Sequence, residues 1–164
     1  MMTEMESFIQ LKKDNVFRVG ILDKEGKETG KFLEFDLEDI ELPTRISESQ
    51  ELHKRNMRYL KEQLIIIDKK EDHKGKKLLS YKEEEKLKVY QKVFKDEMKA
   101  LDLFIGDGKT QMILDLMGRK PYHTMYDDIG EMLQPLLPKL EENFNKIKEN
   151  IENKYKSQEN DVLE

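Results

Sequence analysis

The first stretch of this chain with the residue types for catalysis or ligand binding is "LFIGDGKTQ", residues 103–111. Gly108-Lys109-Thr110 matches the close of a phosphate-binding loop, where backbone N–H groups cradle the phosphate and the lysine neutralises it. Such a loop needs a first glycine at position 103 and a buried strand leading into it. Position 103 is Leu103, and residues 81–105 repeat apolar groups every three or four positions amid dense charge, as a helix does. The simpler reading is a helix stopped by Gly106, followed by another that starts with Asp107 or Thr110 as its cap.

"HTMYDD" is the best metal candidate, because His123 and Asp127 would share one helix face. A metal needs three or four converging ligands. Asp128 would point elsewhere, and His53 and His73 sit in polar contexts. Asp127 and Asp128 read more simply as first-turn acids of a helix that begins at Thr124. Carboxylate runs such as Glu83-Glu84-Glu85 and Glu141-Glu142 lie among lysines, not in the desolvated setting a general acid requires. Ser7, Ser47, Ser49, Ser80 and Ser157 occur in no Gly-x-Ser-x-Gly elbow, and the absence of cysteine removes thiolate chemistry. The expectation is a non-enzymatic protein with no catalytic residue, cofactor or metal.

Charge narrows the partners. The 30 basic and 35 acidic residues are closely mixed, for a net charge of -5, so no basic face for nucleic acid is expected. Lys69, Lys70, Lys74, Lys76 and Lys77 are interrupted by Glu71 and Asp72 and lack aromatics for base stacking. "MMTEMESFIQ" lacks the build of a signal peptide, and the aliphatic run 64–67 is too short to cross a bilayer. A soluble intracellular chain is the expectation, with one domain over 1–155 and a tail, 156–164, too polar to pack.

The elements that would position these groups are mainly α. Residues 15–37 read as a β-hairpin: Phe17, Val19 and Ile21 alternate with Arg18, Gly20 and Leu22, "DKEGKETG" turns the chain, and Phe32, Leu33, Glu34 and Phe35 follow. Pro43 is expected to keep 37–46 out of a helix. A bundle of four or five helices then occupies 48–155. Ser47 with Gln50, and Ser80 with Glu83, form the two capping boxes. Residues 64–67 fit the end of the first helix or a buried strand. Leu87, Tyr90, Phe94, Met98, Leu101 and Phe104 mark the next helix, and Gly106 and Gly118 mark stops. Pro135 and Pro138 imply a kink or restart after "MYDDIGEM".

The last helix carries Leu136, Leu140, Phe144, Ile147, Ile151 and Tyr155 along one face. These six residues are the candidate partner-binding surface, since the stripe continues where little is left to pack against. Packing back onto the chain's own bundle accounts for the stripe equally well. Several of the nine methionines would add adaptable contacts, mostly inside the core.

Two stretches, "LEFDLEDIELPTRI" and "ALDLFIGDGKTQMILDLMGRKPYHTMYDDIGEMLQPLLP", together resemble the tail assembly chaperones of phages and phage-like particles of Gram-positive bacteria. The resemblance rests on the turn Phe104-Ile105-Gly106-Asp107-Gly108, the loop Gly118-Arg119, and Met125-Tyr126-Asp127-Asp128 followed by Leu133-Gln134-Pro135. Gly130 replaces an aromatic of the family pattern, and the connector "DKKEDHKGKK" is long and lysine-rich. The resemblance implies a hairpin leading into helices and a role in the host bacterial cytoplasm. There the chaperone coats the long tape-measure protein while tail-tube subunits polymerise around it, and it is absent from the mature particle. Some members also exist as longer frameshifted products. The family contributes no catalytic residues. Without the resemblance, the residues fit a small homo-oligomeric helical adaptor or regulatory module.

Overall fold

The computed structural model describes residues 4–11 and 15–163, with side chains as far as 156. Residues 1–3, 12–14 and 164 of the expected domain and tail lie outside the described residues. The architecture is mainly helical: an antiparallel hairpin of β1 (Val16–Leu22) and β2 (Glu28–Asp36) precedes five helices. These are α1 (Leu42–Asp68), α2 (Tyr81–Ile105), α3 (Lys109–Leu116), α4 (Met125–Met132) and α5 (Leu136–Leu163).

The hairpin follows its period-two pattern. Phe17 opposes Phe35 and Val19 opposes Leu33 on the inner face, where Ile21 and Leu37 are also buried. Asp23 closes the turn by accepting the N–H groups of Glu25 and Lys27 through one oxygen, each at 2.9 Å. Phe32 points outward, because the alternation that puts Leu33 and Phe35 inside leaves it on the other face. There it lies opposite Gly20, with the Arg18 guanidinium 4.1 Å from its ring centre.

α1 begins five positions before Ser47, at Leu42, which corrects the expected start. Pro43 sits in the first turn, where its missing N–H costs nothing and its fixed φ suits the helix. Asp39 sets the entry, accepting from Glu41 N at 3.0 Å and from Arg45 at 2.6 Å. The Arg45 hydrogen bond holds the Asp39 carboxyl below its ordinary range. Residues 64–67 are helical, with Ile67 buried and Ile65 and Ile66 outside.

Ser80 caps α2 as its capping box predicts, accepting from Glu83 N at 3.2 Å. Gly106 ends α2 at φ 114°, a backbone region that favours glycine. A turn through Leu133 and Gln134 separates α4 from α5, so the two prolines mark a restart. The α5 backbone stays helical to Leu163, beyond the point where the tail was expected to fray. The hairpin's inner face, Leu42, the end of α2, α3, α4 and the first turns of α5 make one core around Leu101, Leu114, Met125 and Leu136.

Candidate partner-binding surface

α5 changes character along its length. Its first turns belong to the core: Leu136 is 0% exposed and Leu140 is buried beside it. Asn143 then fastens the helix to the hairpin, donating to Leu37 O at 2.7 Å and accepting from Asn15. From residue 144 to 156 every side chain except the half-buried Ile147 is exposed. Ile151 is 54% exposed and Tyr155 71%. Leu136 and Leu140 are therefore removed from the expected contact surface, because the chain's own core covers them. Phe144, Ile147, Ile151 and Tyr155 remain.

At the base of α5 lies an apolar groove of about 320 Å³, lined by Pro43, Ile46, Leu137, Leu140, Glu141 and Phe144. It shares Ile46 and Leu137 with a second groove of about 220 Å³, which reaches Ser49 and Tyr126. Apolar side chains also stand outside the body in the N-terminal segment, where Met5, Phe8, Ile9 and Leu11 are almost fully exposed.

The second groove ends against a buried polar cluster that no sequence motif announces. Glu97 of α2 is 4% exposed and faces α1. Its Oε1 accepts from Asn56 Nδ2 at 2.7 Å, and its Oε2 lies 2.5 Å from His53 Nδ1. The His53 ring stacks on Tyr126 with 3.9 Å between centres. Ser49 donates to Ala100 O at 2.6 Å, so the Tyr126 hydroxyl, 3.0 Å away, donates to Ser49. Burial pushes the Tyr126 hydroxyl up in pKa, keeping it a neutral donor at neutral pH.

A histidine, a carboxylate and a serine so close together invite comparison with a catalytic triad, but the geometry does not support one. The Ser49 proton is committed to a backbone carbonyl, and its oxygen faces Tyr126 rather than His53. The far nitrogen of His53, Nε2, has Asp127 at 3.9 Å. Among the described residues no buried side-chain polar atom of the cluster is left without a partner, as a structural seam between helices requires. The signal was present in spacing: Ser49, His53 and Asn56 fall on one face of α1, and Glu97 falls among the buried positions Val93, Ala100 and Leu101 of α2.

The Gly-Lys-Thr loop is likewise filled from within. Asp102 accepts from Gly108 N and Thr110 N, each at 3.0 Å, and so takes two amides at the start of α3 that a phosphate would need. Its own negative charge opposes an anion there. Asp102, one turn back in α2, supplies this cap in place of the expected Asp107 or Thr110 side chain. Thr110 is buried, with its hydroxyl 3.5 Å from Met98 O.

His123 and Asp127 are both exposed, and Thr124 donates to Asp128 at 3.1 Å without capping an α4 amide. Among the described residues no group of three or more His, Asp or Glu side chains is placed to hold a metal ion. No described helix is long and apolar enough to cross a membrane. Comparison of the chain with protein-family models, curated proteins and solved structures finds no match.

Proposed function

We propose that this protein is a non-enzymatic tail assembly chaperone that binds and shields a tape-measure protein while a phage-type tail is built. The observation that carries the reading is the outer half of α5, whose apolar face leaves the core and stands beside an open apolar groove. A long helical client with apolar stripes would lie along such a face as helix-in-groove complexes do. Several copies spaced along one client would add avidity to individually weak contacts. The abundant mixed charge of the chain, 40% of its residues, would keep the loaded client soluble. The resemblance of the 104–108 turn and the 125–135 stretch to the chaperone family supplies the identity of the client. It also makes tail-tube subunits a second class of partner and the host cytoplasm the place of action.

The test is co-expression with the long tape-measure-like protein of the same locus, followed by size-exclusion chromatography with light scattering. The expected result is a soluble long chain that co-elutes with several copies of this protein. A paired Ile151→Asp, Tyr155→Ser variant should retain less of it. An insoluble long chain with this protein eluting alone overturns the reading.

A further inference from the structure

The groove at the base of α5 and the stripe at its outer end lie on one face of one helix. Leu140 and Phe144 line the groove, and Ile147, Ile151 and Tyr155 follow at spacings of three and four. The groove lacks apolar side chains to fill it, and the stripe lacks a surface to cover it. Two complementary patches on a single face are what a two-fold symmetric interface requires, since each copy offers both.

We propose that a second copy of this chain covers this face, its α5 running antiparallel to the first about an axis between Phe144 and Ile147. Phe144, Ile147 and Ile151 are spaced three and four apart, as in the seam of a coiled coil. In the antiparallel register Phe144 opposes Ile147 of the second copy, and Ile151 reaches the base of the other α5. Tyr155 of each copy then enters the other's groove against Pro43, Ile46 and Leu137. The span from Phe144 to Tyr155 is about 16 Å of helix, so the contact is confined to the exposed half of α5 and the groove at its base.

Charge selects the direction. Glu141 and Lys148 are seven positions apart and flank the same side of the stripe. Antiparallel pairing sets Glu141 of each copy beside Lys148 of the other, twice by symmetry. Parallel pairing would instead place Lys148 beside Asn143, with no ion pair. Glu142 and Lys146, on the outer side, already pair with each other at 3.3 Å. Among the described residues Glu141 and Lys148 have no such partner. This pairing is independent of the chaperone reading. If both hold, client and second copy compete for one face.

The experiment is sedimentation equilibrium of the full chain and its variants. The wild type should reach twice the chain mass. Glu141→Lys or Lys148→Glu should weaken pairing about tenfold, and the double reversal should restore it to within about threefold of wild type. Tyr155→Ala and Ile151→Asp should weaken it by about a hundredfold. Deleting residues 2–11 should leave it intact. Because both charged positions are exposed, the reversals test the register even if Ile151→Asp frays the helix. A monomeric wild type overturns the proposal, as does a dimer indifferent to Tyr155→Ala. A double reversal that fails to rescue overturns the antiparallel register. Loss of pairing on deleting 2–11 would mean that the N-terminal segment fills the groove, which overturns the proposal too.

Discussion

Ser49, His53, Asn56 and Glu97 place polar groups where the chain is buried, whereas Phe144, Ile147, Ile151 and Tyr155 place apolar groups where it is exposed. Both regions go against the usual distribution of residue types, and they differ in what completes them. In the seam between α1 and α2 no buried side-chain polar atom among the described residues lacks a partner, and both oxygens of Glu97 are occupied. The cluster thereby joins α1 and α2 in one relative position. On the outer half of α5 nothing in the described chain closes the surface, and an apolar face of this kind marks a contact. A dense set of titratable groups is thus closed within the chain here, and an apolar face is left open.

Three substitutions bear on this contrast. Glu97→Ala should cost about 3 kcal/mol in urea unfolding, because it strands Asn56 Nδ2 and His53 Nδ1 and opens a void between α1 and α2. A cost below about 1 kcal/mol would show that the seam is not the closed unit its hydrogen bonds indicate. Asp102→Ala should cost about 1 kcal/mol by the same measurement, since it removes an acceptor from two amides at the start of α3. Ile151→Asp, studied dilute enough for the chain to be monomeric, should change unfolding free energy by less than about 0.5 kcal/mol. A larger loss would mean that the outer half of α5 leans on its own body after all, and the contrast between the two regions would fail.

Local signals in the sequence were the ones most easily read. The inner face of the hairpin at Phe17, Val19 and Ile21 follows from alternation alone, and the Ser80 cap from a pair three residues apart. Gly106 and Gly118 sit at helix ends with positive φ, as their positions suggested. Other features depended on contacts that spacing alone does not show. Pro43 breaks a helix interior but fits a first turn, and Asp39 with Arg45 helps decide which position it occupies. Pairing with Gly20 and Val19 is what sets Phe32 outward and Leu33 inward. His53 sits in a polar context in the sequence, and only the tertiary structure brings Glu97, more than forty residues away, to it and to Asn56.

The sequence by itself determined the elements: a hairpin, charged amphipathic helices, and an apolar stripe along the last of them, all governed by spacings of two, three and four residues. Only the tertiary structure divided that stripe. Leu136 and Leu140 are buried in the core cluster to which the hairpin and the ends of α2 and α4 also contribute. Asn143 is fastened to the Leu37 carbonyl, and past it the helix has no more body to lie on. Periodicity records which side of a helix is apolar, but the length over which that side is covered depends on where the rest of the chain ends in space.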